Sequence, residues 1–168
     1  MGAISQPHTR RDIELLYETA RIATESRDGG NHPFGALLAD AQGKILMEQG
    51  NEVVSTHNDC GHAETMLLMR ASKAYDRAFL ATCSLYTSIE PCAMCTGALY
   101  WSNVGRLVYA LTEERLLEMT GSNPENPTFN LPSRVVINHG QKEIVVVGPV
   151  DDADLEERIV ADHTGFWD

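Results

Sequence analysis

The sequence predicts an α/β sandwich built on a mixed sheet, and three observations lead there. Segments with strand patterning alternate with segments of helical periodicity along most of the chain. Two neighbouring strand segments, 34–39 and 44–49, are split only by residues 40–43, which reads as a hairpin. The 168 residues fit one domain, 1–168, and a domain near this size buries roughly 70% of its unfolded surface without disulfide staples.

Residues 10–28 predict the first helix, with Ile13, Leu16, Tyr17, Ala20 and Ala23 on one face and Gly29-Gly30-Asn31 as the stop. After the hairpin, residues 50–61 are polar and irregular. A second helix spans about 63–75, with Met66, Leu67, Ala71 and Ala74 on a common face. Residues 83–88 read as a buried strand. Pro91 then opens a helix to about Trp101, because the N–H it lacks would be unpaired there. Residues 106–111 are a strand and 113–119 a short helix. Residues 121–132, rich in proline and asparagine, form a long surface loop. Residues 134–138 and 143–147 read as strands, or as two parts of one irregular strand, and 151–161 as a final helix.

Charge narrows the partners. The net charge is −11, and the basic residues are scattered apart from a loose group at Arg70, Lys73 and Arg77. A large polyanion such as a nucleic acid is therefore disfavoured, and a small, weakly charged substrate fits better. No apolar run approaches the roughly 18 residues that a membrane span needs. The first eleven residues lack the apolar segment of a signal peptide. The expected location is the cytoplasm, where Cys-x-x-Cys more often marks metal or redox chemistry than a structural bridge.

The chemistry concentrates in two short segments. His62-Ala63-Glu64 lies at the start of one predicted helix and Pro91-Cys92-Ala93-Met94-Cys95 at the start of another. A helix N-terminus favours thiolate. Cys92 and Cys95 are three apart and can converge on one ion, with His62 as a third ligand. Three protein ligands leave a tetrahedral zinc one open position for water, the catalytic pattern. Glu64 can face that water without binding the ion, and take and return its proton. Cys-x-x-Cys alone is equally compatible with a redox or structural role. Cys60 as a fourth ligand would close the site and make it purely structural, but leaves Glu64 and Pro91 unexplained.

The ordered set Pro33-Phe34-Gly35-Ala36, Asn51, His62-Ala63-Glu64, residues 90–95 and residues 97–101 resembles the cytidine deaminase superfamily over roughly residues 31–111. Within it, the set is similar to bacterial guanine deaminases, and more loosely to tRNA adenosine deaminases and fungal-type cytosine deaminase. The resemblance implies a three-layer α/β/α sandwich with a mixed five-stranded sheet. It also implies one zinc held by His62, Cys92 and Cys95, Glu64 as the proton shuttle, and a homodimer or larger assembly. At the substrate it implies Asn51 on the ring through its amide, Phe34 as a pocket wall, and the Ala63 N–H at the reacting centre. The implied reaction replaces an exocyclic ring amine by a carbonyl and releases ammonia, with Glu64 protonating first the ring nitrogen and then the leaving amine.

Each assignment has a plainer competitor. Asn51 can hold its own loop. Phe34 and Trp101 can be core aromatics, although Trp101 is also expected near substrate. Cys83 reads as a small core residue, and His57 and Cys60 as solvated loop residues. Phe166 and Trp167 at the chain end are costly to leave in water and should dock. The resemblance suggests that residues 151–168, through Trp167, cap an active site, this chain's or a partner's.

For the substrate, residues 151–168 carry seven acidic side chains and one basic one, Arg158, which argues against tRNA. Residues 95–101 look like guanine deaminase, so guanine to xanthine is the expected reaction, with cytosine, isocytosine or an aminotriazine as alternatives. Asn123 stands near the place where an acidic purine-binding residue can occur, and Glu125 is the only carboxylate of that loop. A non-enzymatic zinc module is the competing reading from another class.

Overall fold

Every residue of the strand Gly35–Ala39 is buried, and this strand sits inside a sheet covered on both faces. The computed structural model describes residues 1–168. Its strands are β1 (Gly2–Ser5), β2 (Gly35–Ala39), β3 (Ile45–Gly50), β4 (Ser84–Ile89), β5 (Arg106–Leu111) and β6 (Glu143–Val147). They form one sheet in the order β1-β6-β5-β4-β2-β3. β2 runs antiparallel to β3 and β4, whereas β4, β5, β6 and β1 are mutually parallel. The sheet is mixed, as expected, but has six strands instead of five. The extra strand is β1, paired to β6 with Ala3 opposite Ile144. Four residues with little apolar patterning gave no sign of it, and only the β6 edge makes it a strand.

The helices are α1 (Arg10–Asp28), α2 (Val53–Thr56), α3 (Ala63–Ala74), α4 (Arg77–Leu80), α5 (Ala93–Ser102), α6 (Glu113–Thr120), α7 (Ser133–Asn138) and α8 (Ala153–His163). Alternation along the strands divides the core in two. Leu37 and Ala39 of β2, Tyr86 of β4 and Val108 and Ala110 of β5 pack with α1, α6 and α8 through Leu15, Leu16, Leu116, Leu155 and Ile159. Ala36 and Leu38, Leu85, and Leu107 and Tyr109 face the other way, onto α3, α5 and α7 through Leu67, Leu68, Leu99 and Ile137. This is the expected three-layer α/β/α arrangement.

Helix α1 is fixed at its start by reciprocal bonds: the Thr9 hydroxyl accepts the Asp12 N–H at 3.1 Å, and Asp12 Oδ2 accepts the Thr9 N–H at 2.8 Å. It lies so close to β2 that a Cβ on Gly35 would come within 2.2 Å of the Thr19 carbonyl oxygen. Glycine at position 35 is therefore a packing requirement.

Residues 134–138 correct the strand expectation: they belong to helix α7. Their β-branched residues suggested a strand, but Ser133 and Ile137 are the positions that reach the interior, four apart on one helical face. The Glu90 carboxylate also captures the Ser133 N–H at 2.8 Å and its hydroxyl at 2.7 Å, supplying a partner at the helix start. The irregular stretch 50–61 contains the short helix α2, and α8 starts at Ala153, capped by Asp152. No helix is long and apolar enough to cross a membrane.

Candidate active site

The polypeptide brings the starts of α3 and α5 together at one edge of the sheet. His62 and Cys92 are the capping residues of these helices, and neither spends its side chain on a capping hydrogen bond. The imidazole and the sulfur are thus free for another partner. His62 Nδ1 lies 3.6 Å from Cys92 Sγ and 3.6 Å from Cys95 Sγ. All three ligand atoms fall within 4.8 Å of one another. Tetrahedral zinc with ordinary Zn–S and Zn–N bonds would set its nitrogen and sulfur ligands about 3.6 Å apart, so the triad fits that ion. Cys60 is exposed and stands outside the cluster, as do His57 and the buried Cys83.

The two sulfurs share their ionisation. Hydrogen bonding from Cys95, with help from His62, draws the Cys92 thiol down to about 4, while the same contact with Cys92, and burial, hold Cys95 well above the usual thiol range. A metal cation would take both as thiolates. The Thr65 hydroxyl donates to Cys95 Sγ at 3.1 Å and fixes it from the side.

Glu64 is 6% exposed, with Oε2 3.5 Å from Cys95 Sγ. Burial pushes its carboxyl up to about 7, against the pull of His62. A carboxyl that gains and loses its proton near neutrality suits a general acid and base. Zinc, when bound by His62, Cys92 and Cys95, supplies an activated water as nucleophile. Glu64, 3.5 Å from one of the sulfurs, is the nearby carboxyl that could hold that water's proton.

These residues open onto a cavity of about 560 Å³. Its walls include Phe34 and Asn51 on one side and residues 124–129 of the long loop on another, with Ile89, Met94 and Leu116 as apolar surface. Asn51 Oδ1 accepts the Val53 N–H at 3.0 Å, while its Nδ2 has no protein partner. The plain loop-holding role and a substrate role are therefore compatible in one side chain. No lysine or arginine lines the cavity, whereas Asp59, Glu64, Glu90, Glu113 and Glu125 all do.

Not every expected substrate residue arrives here. Ala63 is fully buried at the start of α3 and does not line the cavity. Trp101 is 77% exposed on α5, outside the cavity and outside the core, against a Tyr100–Lys142 pair. Trp167 is buried behind the wall, its ring 5.2 Å from that of His32 and 6.1 Å from that of Phe34. Asn123 turns away from the cavity: its Nδ2 donates to the Trp167 carbonyl and its Oδ1 accepts the Glu125 N–H at 2.8 Å. Glu125 faces His32 at 3.3 Å. Residues that sequence reasoning did not assign include His32, Glu90 and Glu113. His32 adjoins the Pro33-Phe34-Gly35-Ala36 stretch and Glu90 opens the stretch 90–95, and those positions were the available signal.

Residues 9–111 match the family described as the cytidine and deoxycytidylate deaminase zinc-binding region. The chain belongs to this deaminase family. It is a zinc-dependent hydrolytic deaminase acting on C–N bonds. A probable cytosine deaminase of Schizosaccharomyces pombe is 36% identical over 160 residues, 95% of this chain and 94% of that one. The guanine deaminase of Bacillus subtilis is 36% identical over 97 residues, 57% of this chain and 62% of that one. A solved guanine deaminase from Nitrosomonas europaea shares the fold, with a TM-score of 0.66 at 24% identity, covering 89% of this chain and 82% of that chain. Membership of the deaminase family accounts for Glu64 and the open side of the triad, which a closed structural zinc module leaves without purpose.

Proposed function

We propose that this enzyme deaminates a free nucleobase, guanine to xanthine being the first reaction to test. The observation that carries the reading is the cavity in front of Glu64: it has room for a bicyclic ring, five acidic residues in its walls and no lysine or arginine. A nucleotide phosphate or a tRNA backbone would find no positive partner there. Asn51 Nδ2 donates to the ring, and Phe34 and Leu116 hold its faces. Glu64 takes one proton of the attacking water and delivers it to the ring nitrogen, then takes the second from the new hydroxyl as the carbonyl forms and delivers it to the departing amine.

A pyrimidine substrate, cytosine or isocytosine, is the second reading. It is favoured by the relative that matches along 95% of the chain, which is named a probable cytosine deaminase. The deciding experiment is ammonia release from guanine, cytosine, isocytosine and an aminotriazine, with deoxycytidylate and tRNA as controls. Turnover of a free base with silent controls supports the proposal; turnover confined to the controls refutes it.

The C-terminal segment is proposed to brace the site from within the same chain, because Phe166 and Trp167 pack on His32 and His163 packs on Phe34. Exposed Val54, Met69, Met94 and Trp101 on α2, α3 and α5 favour a homodimer, which sedimentation velocity would test. The four unpaired cysteines fit a reducing, cytoplasmic setting.

A further inference from the structure

Glu113 is 4% exposed, lines the cavity, and has no hydrogen bond or ion pair to its carboxyl. The other two buried carboxyls of the cavity are engaged. Glu64 lies against Cys95, and Glu90 accepts from Ser133 and from the Glu113 backbone N–H at 3.1 Å. The start of α6 does not need the Glu113 side chain, because Thr112 already caps it by accepting the Arg115 N–H at 3.0 Å. Nor does a cation claim it: Arg115 pairs with Glu118 and Glu156. A buried polar group left without a partner is costly unless something outside the chain satisfies it. The open direction is the cavity.

We propose that Glu113 is a specificity-determining residue that reads the lactam edge of the substrate ring, donating its O–H to a ring carbonyl and accepting the adjacent ring N–H. The inference rests on the nucleobase reading above. Its neutral form follows from the surroundings. Burial in the cavity wall is the main cause that pushes the Glu113 carboxyl up. A neutral carboxylic acid presents one donor and one acceptor side by side. Cytosine, isocytosine and guanine each carry a ring C=O beside a ring N–H, the matching pair. Adenine and 2,6-diaminopurine do not. Glu113 therefore separates aminated lactams from aminated rings without a carbonyl, since mispaired polar groups in a closed site discriminate strongly.

The test compares Glu113→Gln, Glu113→Leu and Glu113→Ala in the zinc-loaded enzyme, by ammonia release from cytosine, isocytosine, guanine and 2,6-diaminopurine. Zinc content and thermal midpoint are measured on each variant. Glutamine keeps a neutral donor and acceptor, so E113Q should stay within a few fold of wild type. E113L and E113A should lose about tenfold to a hundredfold in kcat/KM on the lactam bases, mostly through KM, and little on 2,6-diaminopurine. Either truncation suffices if the other does not fold. Unimpaired E113L and E113A, or an E113Q as impaired as they are, overturns this inference alone. A wild type that releases ammonia from none of the lactam bases overturns the nucleobase reading, and this inference with it.

Discussion

The indole N–H of Trp167 donates to Nδ1 of His163 at 3.1 Å, one turn back along the chain end. That bond needs an imidazole with Nδ1 unprotonated. Burial agrees, pushing the His163 imidazole down to about 4. The folded protein thus holds His163 neutral, while the unfolded chain protonates it near 6.5. The stabilisation is complete above about 6.5 and is lost as pH falls towards 4, by at most roughly 3 kcal/mol. In a Trp101→Phe background, Trp167 fluorescence should report loosening of the C-terminal segment over that window. A signal flat from pH 7 to 4 would contradict the packing.

Removal of residues 163–168 strips the support from His32 and Phe34 but leaves His62, Cys92 and Cys95 in place. Turnover should fall roughly tenfold to a hundredfold, because the pocket wall is no longer held in position. Bound zinc, measured by atomic absorption, should stay near one per chain. Unchanged kinetics would show that the segment is irrelevant to the site.

Asp12 joins the start of α1 to β4 and β5. It accepts two bonds from Arg106, at 2.9 and 2.8 Å, and one from the Tyr86 hydroxyl at 2.7 Å. Burial alone would raise its carboxyl; these donors outweigh burial and hold it at about 2, against an ordinary 3.8. Its contribution is present above about 4 and disappears as pH falls to 2, roughly 2.5 kcal/mol in all. Arg106→Met should cost about 3 kcal/mol at pH 7 by leaving the buried carboxylate without its charge partner. Urea unfolding at pH 7 checks it, and a loss below 1 kcal/mol would contradict the network.

Glu90 ties β4 to the starts of α6 and α7. Glu90→Ala orphans three donors: the Ser133 N–H, the Ser133 hydroxyl and the Glu113 N–H. A loss of about 3 kcal/mol is expected, with Glu90→Gln milder because its carbonyl oxygen still serves Ser133. Equal losses for the two variants would assign the effect to volume instead of hydrogen bonding.

The layered fold and the metal triad were legible in the sequence because both follow from local rules. Strand alternation in Leu37, Leu38 and Tyr86 sorts residues onto two faces, and the His-x-Glu and Pro-Cys-x-x-Cys spacings sit at helix starts. What stayed hidden depends on contacts distant in sequence. β1 exists through β6, 141 residues on in its pairing of Gly2 with Glu143. Residues 134–138 are helical because Glu90 holds Ser133 across the fold. Trp101 closes the stretch 97–101, yet the face of α5 that carries it points to solvent. Glu113 carries no motif at all, and only its burial in the cavity without a partner marks it.

The proposed role of Glu64 is to move protons beside a zinc that it does not hold. The direct measurement is ammonia release by Glu64→Gln on the best free base, with zinc content determined on the same sample. Zinc should stay at the wild-type level and kcat should fall by about a thousandfold or more, general acid and base roles being lost together. Wild-type turnover in E64Q, or zinc lost along with activity, would contradict it.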